Sequence, residues 1–354
     1  MRSVSVLSNS RRCLTLSSVD GKKILHSTQK KASMTLSIAM IATGGIADQQ
    51  LAPALAKAPN AQLWSVYSRD KTRAAEFASR HGAASPSAAH EDLDSLLADD
   101  DLDAVLIASP DKLHSDQAIR ALQAGKHVLT EKPMATDRHG ADAMVEAAYH
   151  AGKVLAVAYH MRWHMGHRAL FQAMQNGAFG TLRHMRIQWP TSAQNADGWR
   201  AQSDVGRWWA LAAVGTHCLD QIRWFMRPHC GEIKRAESIV NRSVYDGPHE
   251  ETAVLTYQFE NGSTAELCAS VLYKGPRIME IYGSDGYAIC TETLGPHGEG
   301  QIETHEGSFT YAPANPYVGE IEDFAAAIRE GRAPEVDGRE GAANVDLLLK
   351  AVGA

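Results

Sequence analysis

Apolar positions fall into two rhythms along the chain. From Met34 to about residue 158, short unbroken apolar runs alternate with stretches whose apolar residues recur at helical spacing. Residues 37–41 form the first run, and Leu51, Ala54 and Leu55 after it share one helical face. Strands follow at 62–68, 102–108, 126–130 and 153–158, with helices at 72–80, 114–124 and 138–151 between them. Unbroken apolar strands separated by helices predict a parallel sheet covered on both faces.

Past Tyr159 the pattern changes. Helical stretches at 165–176 and 215–226 flank a strand at 182–189. Alternating runs then appear at 232–242, 252–259, 264–273, 279–283 and 287–293, with Asn261-Gly262 joining two of them as a hairpin turn does. A helix at 319–330 closes the chain. The expectation is an α/β protein. An N-terminal Rossmann-type, doubly wound parallel sheet occupies residues 34–158, and an α+β domain with a largely antiparallel open sheet occupies 159–354. One face of that open sheet is expected to meet a second subunit.

The turn after the first strand, Thr43-Gly44-Gly45 leading into Ile46, has no side chain at its sharpest point. Strand, glycine turn and helix in that order aim free backbone N–H groups and the positive helix end at one spot, where a phosphate fits. The stretch resembles the dinucleotide fingerprint G-x-G-x-x-G/A, with Ala42 in the first glycine's place and Gly44 and Ala47 in the other two. At the end of the second strand stand Ser68 and Arg69, where an NAD site usually carries an acid for the ribose diol. An arginine there pairs with a 2′-phosphate, so NADP is the favoured cofactor, with NAD left possible by Asp70.

At 354 residues the chain exceeds one ordinary core, so two domains are the default. A net charge of −6 argues against nucleic acid or an anionic membrane as the main partner. No apolar run approaches membrane-spanning length. The five cysteines are scattered without a C-x-x-C pair, which suits a reducing compartment, the cytoplasm, and offers no metal site. Residues 1–33 differ from the rest: rich in Ser, Arg and Lys, with Asp20 the one acid. That segment reads as a disordered extension, either ahead of a true start at Met34 or, less favoured, as a transit peptide.

Three separated signatures then line up. The first is the glycine turn. The second is Ser109-Pro110-Asp111-Lys112-Leu113-His114, followed by Ala124-Gly125-Lys126-His127-Val128 and Glu131-Lys132-Pro133. The third is Gly198-Trp199-Arg200 with Val214-Gly215-Thr216-His217-Cys218-Leu219-Asp220. From about Leu36 onward the chain resembles the glucose–fructose oxidoreductase / inositol dehydrogenase (Gfo/Idh/MocA) family. Asp111 stands where that family usually has Asn, and Ala213 where it often has an aspartate. The resemblance implies hydride transfer to or from a sugar, cyclitol or related polyol. By the same resemblance Ser109, Pro110 and His114 belong to the cofactor site, Trp199 and Arg200 reach the cofactor from the second domain, and Tyr317 lies near it.

Lys132 is the first catalytic candidate, since a cation beside a secondary hydroxyl stabilises the alkoxide character that develops as hydride leaves carbon. Glu131 is placed to orient that ammonium or touch the nicotinamide ribose. His217 is the second candidate, an imidazole suited to exchange a proton near neutrality. With no carboxylate at Ala213, Asp220 is a candidate orienter of His217, because an i,i+3 spacing shares a helix face. Trp209 offers a ring face to a sugar, and Arg162 is a candidate at the domain junction. Two other readings stay open: a dinucleotide- or sugar-binding sensor without turnover, which Ala213 keeps alive, and an NAD-assisted glycoside hydrolase.

Overall fold

The structure, a computed structural model, describes residues 35–202 and 206–352, so the expectation for residues 1–33 lies outside the described residues. Strands β1 (Leu36–Ile41), β2 (Ala61–Tyr67), β3 (Ala89–His90), β4 (Ala104–Ile107), β5 (His127–Thr130) and β6 (Leu155–Val157) form one sheet. Their order is β3-β2-β1-β4-β5-β6 and every pairing is parallel. All residues of β1 are buried, as a central strand covered on both faces requires. The direction of strand addition reverses between β1 and β4, and that reversal opens a crevice at the carboxyl ends of the two strands.

Local chemistry sets the helix boundaries. Asp70 caps Lys71–His81, its Oδ1 accepting from the N–H groups of Thr72 and Arg73 at 2.9 and 3.2 Å, and Gly82 ends the helix in the left-handed region at φ 68°. The helix after β1 starts as a π-helical turn, Ala47–Leu51, before the regular turn Ala52–Leu55. Pro53 in that second turn lacks the N–H of a regular ladder. Just ahead of it, the N–H of Ala52 reaches back to the carbonyl of Ala47.

A second sheet contains β7 (Leu182–Pro190), β8 (Ile233–Asn241), β9 (Thr252–Phe259), β10 (Thr264–Ser270), β11 (Ile278–Gly283), β12 (Tyr287–Thr291), β13 (Gln301–Thr304) and β14 (Gly307–Phe309). Its order is β14-β13-β12-β11-β7-β10-β9-β8, antiparallel except for the β7–β10 pair. The Asn-Gly turn between β9 and β10 closes with Gly262 at φ 88° and the Phe259 N–H on the Ser263 carbonyl at 2.9 Å. Along β9, Ala253, Leu255, Tyr257 and Phe259 are buried, whereas Val254, Thr256 and Gln258 face outward. The inner face packs on the helix Thr216–Cys230 through β7 and β10, and the outward residues of β9 are exposed.

Several elements lack a strong sequence signal: β3, the helix Leu93–Leu97, β13, β14 and the helix Gly338–Ala351. That last helix and its neighbour Pro316–Glu330 return to the first sheet. Tyr317, Ile321, Phe324 and Ala325 share a core with residues of β1 and β2, and Val157 donates its N–H to Val336 at 3.1 Å.

Candidate active site

A cavity of about 860 Å³ runs along the carboxyl ends of the first sheet and reaches the second. At one end lies the turn after β1. Ala42 holds φ at 84°, a left-handed conformation in which glycine is at home and alanine is strained. A Cβ added to Gly44 or Gly45 meets nothing within 4 Å, so open space faces the bare backbone there. Helical conformation begins at Gly45, where Asp48 donates to the Gly44 carbonyl at 3.0 Å, and the first N–H groups of that helix have no partner within it. A diphosphate fits this cradle on grounds of space, donors and dipole. Thr43, Gly44, Gly45 and Ile46 all line the cavity.

After β2, Ser68 is buried and Arg69 exposed, both on the cavity wall. Asp70 is engaged as the helix cap, and Arg73, one turn past Arg69, lines the cavity as well. Arg73 has only an exposed contact to Asp70 at 3.4 Å. Its signal in the sequence is its place in the first turn of a helix capped by Asp70. After β4, Ser109 donates to Gln117 at 2.6 Å, and Ser109, Pro110 and Gln117 all face the cavity. His114 does not. Fully buried, it sets Nδ1 at 2.9 Å from the Pro133 carbonyl and Nε2 at 2.8 Å from the Ser109 carbonyl, tying two strand-end loops together.

The other end of the cavity gathers charge. Lys132 follows β5 directly; its peptide bond to Pro133 is cis. Nζ donates to the carbonyls of Ala212 and Ala213, at 3.2 Å each. Burial, and then repulsion from Arg200, bring the Lys132 pKa down to about 8. Burial pushes Glu131 up, against the pull of the Lys132 charge, and Glu131 Oε2 accepts the Lys132 N–H at 3.2 Å. The two carbonyls belong to a π-helical turn, Leu211–Gly215, that runs straight into the helix bearing His217. Glu250 pins the start of that turn, its Oε1 accepting from the N–H groups of Trp209 and Leu211 at 3.0 and 2.8 Å. Burial raises the Glu250 carboxyl to about 7. The turn therefore offers Lys132 backbone dipoles at the position where a carboxylate side chain is absent.

His217 faces the same cavity, nearly buried, with Nδ1 lacking a hydrogen-bond partner among the described residues. Burial and the neighbouring Lys132, His160 and Arg200 hold it well below the usual imidazole range, so it is neutral at pH 7. Trp189 stacks on its ring at 5.6 Å, and His160 meets it edge-on at 4.8 Å. From the second half of the chain, Trp199 and Arg200 also reach the wall. The Arg200 guanidinium lies 4.1 Å from the Trp199 ring centre and 3.3 Å from Asp111 Oδ1. Tyr317 completes this end, stacked on His160 at 4.2 Å.

Besides His114, three expected residues lie elsewhere. Asp220 does not orient His217: fully buried, it takes both arms of the Arg162 guanidinium, Nε at 2.9 Å and Nη2 at 2.7 Å, and accepts from Asn344 at 3.3 Å. Arg162 is thereby removed from the substrate position too, and it bonds Glu340 at 3.2 Å. Both serve a buried ion network joining the His217 helix to the helix Gly338–Ala351, with Arg223 and Arg227 as further partners of Glu340. Trp209 turns its ring to Tyr245 at 5.5 Å and is absent from the cavity wall. Trp189, His160 and Arg73 are cavity residues that the sequence motifs did not single out, and Asp111, marked in the second signature, lines the wall with them.

Residues 36–159 match the GFO_IDH_MocA family model, described as an oxidoreductase family with an NAD-binding Rossmann fold, and residues 167–289 match the model of its C-terminal domain. Over 305 residues the chain is 30% identical to the scyllo-inositol 2-dehydrogenase (NADP(+)) IolU of Bacillus subtilis (strain 168), across 83% of this chain and 88% of the relative. It is 27% identical over 294 residues to the 1,5-anhydro-D-fructose reductase of Ensifer adhaerens, across 80% and 86%. Among solved structures, KijD10, a 3-ketoreductase from Actinomadura kijaniata in complex with NADP and TDP-benzene, superposes with a TM-score of 0.78 at 25% identity, covering 90% of this chain and 97% of the other.

Proposed function

The chain belongs to the Gfo/Idh/MocA oxidoreductase family, and from that membership we propose that it transfers a hydride between a nicotinamide dinucleotide and a sugar, cyclitol or related polyol. One observation carries the proposal: a single cavity is lined at one end by the glycine turn and at the other by Lys132 and His217. When bound, the dinucleotide accepts or supplies the hydride. Gly44, Gly45 and the helix start would hold its diphosphate, and Trp199 and Arg200, on the same cavity wall, would contact it from the second half of the chain. Ser68, Arg69 and Arg73 receive the 2′-phosphate of NADP, which Asp70, spent on its helix cap, does not oppose. IolU and KijD10, whose names or complexes specify NADP, support that preference.

In alcohol oxidation, Lys132 Nζ stands beside the reacting oxygen and stabilises its negative charge, while neutral His217 accepts the hydroxyl proton. The low basicity of His217 makes the imidazolium short-lived and favours passing that proton on. In the reverse direction Lys132 Nζ, with a pKa of about 8, remains an ammonium at pH 7 and supports the carbonyl oxygen as charge builds there, and the proton that oxygen takes up is relayed from solvent through His217, the reverse of the oxidation step. Burial removes competing water from both groups, which strengthens each contact. The outer face of the second sheet, with Val254, Tyr273 and Tyr287 partly exposed, is assigned to a second copy of the chain. Cytoplasmic residence fits the free thiols of Cys218, Cys230, Cys268 and Cys290.

The test is purified protein with NADP+ or NAD+ and a panel of aldoses and cyclitols, followed by absorbance of the reduced nicotinamide. Turnover with at least one member, abolished in Lys132→Met while NADPH affinity persists, is the expected result. Near-normal kcat in Lys132→Met refutes the chemistry.

A further inference from the structure

His160 stands at the carboxyl end of β6, as Lys132 stands at the end of β5. It is 4% exposed, yet it lines the cavity beside Lys132 and His217. Its ring is held on two sides: Tyr317 lies parallel to it at 4.2 Å and 15°, and His217 meets it edge-on at 4.8 Å and 76°. Its polar neighbour is the Gly295 backbone, and Nε2 is buried without a hydrogen-bond partner among the described residues. A buried nitrogen without a partner is destabilising, so its retention at the wall of a polyol site calls for a ligand group that offsets it. Burial and the Lys132 charge bring the ring's pKa down to about 3, so it stays neutral at every working pH, and with its other nitrogen against the Gly295 backbone Nε2 is the atom left for a ligand.

On the hydride-transfer reading, Lys132 and His217, which line one cavity, share the oxygen of the reacting carbon. His160 sits one ring away from His217, on the same wall. The group within its reach is therefore the hydroxyl on the carbon next to the one that reacts. We propose that His160 reads this neighbouring hydroxyl, so that the site selects vicinal diols, or the matching α-hydroxy ketones, over analogues deoxygenated at the adjacent carbon. The proposal rests on the hydride-transfer reading above.

The experiment compares kcat/KM for substrates with and without that hydroxyl: D-glucose against 2-deoxy-D-glucose and 3-deoxy-D-glucose, and scyllo-inositol against its monodeoxy analogue. Unaltered protein is expected to favour the hydroxylated member by about tenfold or more. His160→Phe keeps an aromatic ring against Tyr317 and removes both nitrogens. It should reduce that preference to within about threefold, chiefly through KM of the hydroxylated substrate, with NADPH affinity unchanged. His160→Asn, which restores a donor and an acceptor, should recover part of it. Turnover by His160→Phe with the preference intact overturns the proposal and leaves the parent reading standing. If the unaltered protein turns over no member of the panel, the parent reading fails and the role of His160 falls with it. Should His160→Phe fail to fold, His160→Asn decides alone: loss of the preference in KM supports the proposal only if a deoxy substrate retains its kcat, and any other outcome counts against it.

Discussion

Ala213→Asp tests the electrostatics of the site most directly. Lys132 Nζ now touches the carbonyls of Ala212 and Ala213 and no carboxylate, and its pKa stands at about 8. The Ala213 side chain borders the cavity, so a carboxylate there has room and partial access to water. At about 5 Å from Nζ and an effective dielectric of about 20, its attraction is worth about 3 kcal/mol, or about 2 pKa units. Water in the cavity trims this to about 1–2 units, which moves Lys132 to between about 9 and 10. The ammonium is the form that supports the carbonyl oxygen in reduction. For the natural residue, kcat/KM in the reductive direction should therefore fall tenfold per pH unit above about 8. In Ala213→Asp the alkaline limb should begin a unit or more higher, and turnover at pH 9 should exceed that of the unaltered protein. Ala213→Asn, equal in shape and uncharged, should leave the limb near 8. A limb that moves by less than about half a unit in the aspartate variant, with turnover retained, refutes the claim that Lys132 sets it.

Two further outcomes follow from named residues. Ala42→Gly removes a left-handed alanine at φ 84° and, after the added freedom of the unfolded chain, should stabilise the protein by about 0.5–1 kcal/mol in urea unfolding; a loss of stability would show that the Ala42 methyl group contributes packing that outweighs the strain. Arg69→Ala with Arg73→Ala should weaken NADP+ binding by about 10–100-fold in a fluorescence titration and change NAD+ affinity by less than about threefold, whereas equal losses for both would remove the 2′-phosphate contact.

The cavity residues supplied by the first sheet share one origin, and it decides how much of that part of the site is legible in the sequence. Thr43 follows β1, Ser68 and Arg69 follow β2, Ser109 and Pro110 follow β4, Glu131 and Lys132 follow β5, and His160 follows β6. In a parallel sheet every strand delivers its next residue to the same edge, so finding the apolar runs is enough to find these positions. His160 obeys that rule although no motif marks it. Asp220 is a different case. Helical spacing says that His217 and Asp220 lie near one another, but not which face meets the cavity and which meets the rest of the protein. That choice was made by Glu340 and Asn344 on a helix whose small residues, Gly338, Gly341, Ala342 and Ala343, blur its apolar stripe in the sequence. With that helix in place, Asp220 is committed to Arg162, and the carboxylate absent at Ala213 has no substitute from the His217 helix. Lys132 is left to the carbonyls of a π-helical turn, and burial with the repulsion of Arg200 brings its pKa down to about 8. An ammonium bound by dipoles is more easily discharged than one bound by a carboxylate, so on the proposed chemistry the Ala213→Asp limb separates tuning of the site by alanine from loss of its function.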